Sequence, residues 1–111
     1  MPTDVLTITV LGDPVRVVIV GEVDLDTRVQ FKAALAQTFG SDGDTMLDLS
    51  GVTFMDTHSV TAVVQCANRL FEEGGRLVVY RPPASLRRIF ELLWGGDGGA
   101  RLYISGERGA P

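Results

Sequence analysis

Leu6, Ile8 and Val10 alternate with Thr7 and Thr9, which is the two-residue period of a strand with one buried face and predicts a strand over residues 5–10. Leu11-Gly12-Asp13-Pro14 carries turn chemistry, since Gly permits a positive φ and Pro fixes its own. The β-branched run VRVVIVG over 15–21 predicts a second strand, so the chain opens on a hairpin. The period then changes. Asp24 or Asp26 can cap a helix whose apolar positions Phe31, Leu35 and Phe39 recur at helical spacing, ending in the loop Gly40 to Asp44. TMLDL at 45–49 predicts a short strand bounded by Ser50-Gly51. After Asp56, residues Val60, Val63, Val64, Ala67 and Phe71 form one apolar stripe of a helix over 57–73, which Gly74-Gly75 stops. RLVVY at 76–80 is the next strand. Pro82 and Pro83 open a third helix with the stripe Leu86, Ile89, Phe90 and Leu93, ending at Trp94. Gly95 to Gly99 reads as a loop before a last strand at Leu102 to Ile104, and 105–111 as a terminal tail.

The predicted order is β-β-α-β-α-β-α-β. Strands alternating with helices imply parallel crossovers, so the expectation is an α/β fold: a mixed sheet of four to five strands with three main helices, mainly on one face. Composition fits one domain with its core over about 5–104. The 111 residues are 45% hydrophobic and 22% charged, enough apolar material for one core and too much for a disordered chain.

Charge narrows the partner classes. The net charge is −4 and the arginines are scattered among acids, with Arg87-Arg88 the one adjacent basic pair. A nucleic-acid binder of this size carries a basic patch, so no nucleic acid is expected as a partner. The single cysteine, Cys66, can form no intrachain disulfide, which suits a reducing compartment. The N-terminus shows no basic n-region, and apolar runs such as Val17 to Val20 are too short to cross a bilayer. The expected location is the cytoplasm, with no membrane insertion.

Candidate chemistry is sparse. With one histidine in the chain, histidine-rich metal sites are excluded. Asp56, His58 and Ser59 are the residue types of a catalytic triad, but neighbours on a helix point about 100° apart and do not face one another. Gly95-Gly96-Asp97-Gly98-Gly99 precedes a strand, whereas a phosphate cradle needs a helix directly after it. Cys66 lies beside the apolar stripe of the second helix and reads as an inert packing thiol. What remains is the strand-to-helix junction over 47–59. Asp56 or Thr57 there is either a simple N-cap or, for Thr57, an exposed hydroxyl displayed to a kinase; a cap residue at an exposed corner can be both.

The run LDLSGVTFMDT at 47–57, followed by a helix, resembles the signature of the STAS domain, most closely that of the bacterial anti-sigma factor antagonists. Gly21-Glu22-Val23-Asp24 with Thr27 resembles the first motif of that family, a Gly-Glu-hydrophobic-Asp segment after the second strand. GGRLVVY and SLRRIFELLW match in type and position, so the similarity covers about residues 5–104. The resemblance implies a protein that binds an anti-sigma factor, itself a Ser/Thr protein kinase, and so frees a sigma factor in bacterial stress or sporulation signalling. In the family the kinase phosphorylates the Ser or Thr directly after the motif Asp, binding is lost, and a phosphatase restores it. Mapped here, the phosphoacceptor is Thr57, and the partner-facing residues are Asp24, Asp56, Thr57, His58 and Ser59. No cofactor and no catalysis by this chain are implied, because the partner supplies ATP and Mg²⁺. The chain departs from the family at His58-Ser59, where Ser-Gly is usual. The alternative is a non-phosphorylated structural STAS subunit of a transporter or a multi-protein signalling complex.

Overall fold

The alternating run at the start of the chain forms β1, Thr7–Leu11, and the β-branched run forms β2, Arg16–Val23; the two pair antiparallel from Thr7↔Val20 to Leu11↔Arg16. This geometry comes from a computed structural model that describes residues 6–12, 15–40, 43–94 and 102–106. From β2 onward a helix separates each strand from the next: α1 (Arg28–Ala36), β3 (Asp44–Met55), α2 (Thr57–Glu72), β4 (Arg76–Tyr80), α3 (Ala84–Trp94) and β5 (Leu102–Ser105). A parallel crossover needs that much chain, and the pairs β2–β3, β3–β4 and β4–β5 are all parallel. The sheet has five strands in the order β1-β2-β3-β4-β5. Each crossover steps one strand in the same direction, so right-handed connections put all three helices on one face. The helices touch accordingly, α2 packing against both α1 and α3. The mixed sheet and the element order are those expected from the sequence.

The core lies between that sheet face and the helices. Val17 and Ile19 of β2, Leu47 and Leu49 of β3, and Leu77 and Val79 of β4 are buried. Above them sit Phe31 and Leu35 of α1, Val60, Val63, Val64, Ala67 and Leu70 of α2, and Leu86 and Phe90 of α3. Cys66 is a buried free thiol in the same layer, and burial raises its pKa above the ordinary thiol value despite the nearby Thr38 hydroxyl. None of the described helices is long and apolar enough to cross a membrane.

Four expectations are corrected. The strand expected over 45–49 runs on to Met55, straight through Ser50-Gly51. The Asp48 carboxylate accepts from both the amide and the hydroxyl of Ser50, at 3.0 and 2.7 Å, and the β2–β3 register shifts between Val18 and Val20 to absorb the extra residue. Gly51 is there for closeness rather than as a breaker: a Cβ on it would stand 2.9 Å from Val20 Cγ2. Second, the N-cap position of α1 is Thr27 rather than Asp24 or Asp26, with no side-chain capping hydrogen bond, and Phe39 lies past the helix end, under the Arg69 guanidinium at 4.1 Å. Third, the stripe of α2 closes on Leu70 while Phe71 is 40% exposed, and Leu93 of α3 is exposed as well. Fourth, Ser105, placed in the tail by sequence, extends β5 by pairing with Tyr80. The expected loop over 95–99 and tail residues 107–111 lie outside the described residues.

Candidate functional site

β2 and β3 run parallel and stop together, Val23 beside Met55. The Asp56 amide donates to the Val23 carbonyl at 3.1 Å, so the two strands release the chain side by side and bring Asp24 and Asp56 to the same end of the sheet. Open α/β sheets use this end, beyond the strand C-termini, for binding.

The first turn is braced from within. Thr27 is buried; its hydroxyl donates to the Glu22 carbonyl at 2.8 Å and accepts from the Asp24 amide at 3.0 Å. Asp24 Oδ1 in turn accepts from the Asp26 amide at 3.0 Å, an Asx turn that fixes the acidic loop ahead of α1. Leu25 in that loop is 71% exposed and Val29 in the first turn of α1 is 80% exposed. Phe54, in register with Glu22 near the end of β3, is exposed too. Large apolar side chains left in water around a rigid turn are what a docking surface offers.

The second turn is the start of α2. Asp56 is its N-cap, with extended backbone and Oδ1 accepting from the Ser59 amide at 2.9 Å. Thr57 is the first helical residue and is exposed; His58 beside it is exposed; Ser59 is fully buried. The structure therefore settles the capping role on Asp56 and leaves Thr57 on the corner surface. Burial of Asp56 would raise its pKa, but the Ser59 amide and the Arg28 guanidinium outweigh it and hold the carboxyl below the usual carboxylate value.

Arg28, the first residue of α1, ties the two turns together. Its Nη2 lies 3.4 Å from Asp56 Oδ2 and 3.3 Å from His58 Nδ1. A guanidinium can only donate, so Nδ1 is the acceptor in this contact. That arrangement disposes of the triad geometry: Asp56 spends its oxygens on Ser59 N–H and Arg28, His58 faces Arg28, and the Ser59 side chain is buried. Arg28 lies outside the motif residues that the sequence singles out. The signal was its position, since a cation in the first turn of a helix opposes the macrodipole unless a nearby carboxylate offsets it.

Cavities of about 480 Å³, lined by Leu11, Val15, Arg16 and Met46 among others, and about 350 Å³, between α1 and α2, are both lined by residues other than Asp24, Asp56, Thr57 and His58. Among the described residues no group of three His, Cys, Asp or Glu could hold a metal ion.

The family described as "Mlab, STAS domain" matches residues 6–95. An anti-sigma factor antagonist from Mycobacterium paratuberculosis is similar in structure with a TM-score of 0.72 at 26% identity, the alignment covering 92% of this chain and 88% of that one. The phosphorylated form of the Bacillus cell fate determinant SpoIIAA aligns with a TM-score of 0.65 at 20% identity over 93% of each chain. The unphosphorylated anti-sigma factor antagonist SpoIIAA aligns at 0.58 and 22%, over 93% of this chain and 90% of its own. The two SpoIIAA likenesses speak to fold alone. No curated protein matches the chain.

Proposed function

The chain belongs to the STAS-domain family, and on that premise we propose that it is an anti-sigma factor antagonist, a protein-binding switch that turns over no substrate. The observation that carries this reading is the corner itself. An exposed Thr57 opens α2 directly after its capping Asp56, beside the braced Asp24 turn and the exposed Leu25, Val29 and Phe54. The partner in this reading is an anti-sigma factor that is also a Ser/Thr protein kinase, and it meets Asp24, Asp56, Thr57 and His58 together. Ser59 contributes through its amide, which holds Asp56, and not by contact, since its side chain is buried.

Phosphorylation of Thr57 would place about −1.5 to −2 charges on this corner. The N-terminus of α2 tolerates an anion locally, so the fold is kept. A docked partner excludes water there, so a dianion beside Asp56 crowds like charge against that carboxylate and resists desolvation. A phosphatase acting on phospho-Thr57 restores binding. The kinase and sigma factor operate on transcription, which places the chain with them in the cytoplasm.

The test is a pull-down with tagged wild-type protein from its native extract. Recovery of a Ser/Thr-kinase anti-sigma factor supports the reading, and its loss with Thr57→Glu adds the switch. Recovery of transporter subunits with no kinase sinks it. That second reading, a structural STAS subunit without a kinase cycle, is favoured by one observation: His58, the exposed residue directly after Thr57, carries a bulky ring that Arg28 holds at 3.3 Å. A kinase must reach past that ring. Replacing His58 by Ser is therefore expected to raise kcat/KM for phosphorylation of Thr57 several-fold in a radiolabel assay with the recovered kinase. An unchanged or lower value would show that the ring is no obstacle.

A further inference from the structure

We infer that Arg28 is the internal receptor for a phosphate on Thr57, exchanging its contacts to Asp56 and His58 for the phosphoryl oxygens. The inference rests on Thr57 being the acceptor. Its geometric basis is that one nitrogen, Nη2, touches the residues on both sides of Thr57, at 3.4 Å to Asp56 Oδ2 and 3.3 Å to His58 Nδ1. Successive Cα atoms are about 3.8 Å apart, so the guanidinium lies near the Thr57 backbone, and the exchange requires the phosphoryl group on the Thr57 hydroxyl to turn towards it.

Arg28 is also under-used where it is. Both contacts are long for charge-assisted hydrogen bonds, which run at about 2.7–2.9 Å. One of the acceptors is a neutral ring nitrogen. The Nε–H is buried and has no acceptor among the described residues. A guanidinium carries five donors in a planar fork that matches phosphate in bidentate fashion, and a dianion is a stronger acceptor than either present partner. The exchange leaves α2 capped, because Asp56 Oδ1 keeps the Ser59 amide at 2.9 Å. A dianion also offsets the cation in the first turn of α1 more fully than the single charge of Asp56.

The consequence for the switch is specific. Phosphorylation would add charge to the corner and also withdraw Arg28 from Asp56 and release the His58 ring, so the partner meets a rearranged surface as well as a more negatively charged one.

The experiment installs phosphothreonine at position 57 by genetic-code expansion, so that no kinase is needed, and follows its ³¹P resonance against pH. In the folded wild type the second phosphate ionisation is expected about one pH unit below that of the same chain unfolded in urea, the usual shift beside a guanidinium. Arg28→Gln removes at least half of that shift, and Arg28→Lys, which keeps the charge without the fork, recovers part of it. A structural role for Arg28 alone would move the melting temperature and leave the ³¹P midpoint where it is. If Arg28→Gln fails to fold, Arg28→Lys against wild type carries the test. Equal midpoints in wild type and the folded Arg28 variants overturn the assignment while leaving the antagonist reading intact. Failure to recover any kinase sinks the antagonist reading and leaves the ³¹P result standing.

Discussion

Asp56 does three jobs with one carboxylate: it caps α2 through the Ser59 amide, anchors Arg28, and precedes the proposed phosphoacceptor. Because the folded carboxyl titrates below its unfolded value, its contribution to stability is fully present above pH 3.8 and is lost as pH falls through the lower folded value. Asp56→Ala is therefore expected to cost about 0.5–2 kcal/mol at neutral pH, the range for a lost cap. The gap between wild type and variant should close in acid, as followed by urea unfolding at a series of pH values. A gap that stays constant down to the acid transition would mean that the carboxylate is not what holds the turn. Thr57→Ala should cost much less, since Thr57 is exposed and does not cap. Asp24, Asp56 and Thr57 were legible in the sequence because motif residues sit where strands end and helices begin. Arg28 was not, because its role depends on how far apart α1 and α2 lie in space, 28 residues from Asp56 and 30 from His58 along the chain.

At the level of the elements, hydrophobic period was a good guide to type and a poor one to ends. TMLDL announced β3, but Ser50-Gly51 looked like punctuation because a polar residue and a glycine usually end a strand. In the structure that pair is the close passage of β3 along β2, and the cue is three-dimensional. Gly51→Ala is expected to destabilise by about 1–3 kcal/mol, the ordinary cost of overpacking, since the added Cβ meets the stiff Val20 side chain. Chemical denaturation reads this, and a second change, Val20→Ala, should recover part of the loss; no recovery would place the strain elsewhere. The stripe of α2 misled by one residue. Leu70 is fully buried and Phe71 exposed, so Leu70→Ala should cost about 2–5 kcal/mol against less than 1 for Phe71→Ala. Comparable losses for the two would contradict the orientation of the helix.

For the molecule as a whole, the hairpin start followed by three β-α-β steps fixes nearly everything. It makes one strand antiparallel and the rest parallel, sends all helices to one face, and leaves the ends of β2 and β3 together at one edge of the helix layer. That is why an acidic loop before α1 and an acidic cap before α2, about 30 residues apart in sequence, form one surface. The topology was readable because it follows from order and handedness; the exposure of Leu25, Val29 and Phe54 was not, because exposure is a property of the packed chain. The most direct test is calorimetric titration of the recovered anti-sigma kinase with wild type, Thr57→Ala and Thr57→Glu. Thr57→Ala should bind like the wild type, and Thr57→Glu, with less charge than phosphate, should bind at least about tenfold more weakly, or about 1.4 kcal/mol. Equal affinity of all three would contradict a switch at this corner.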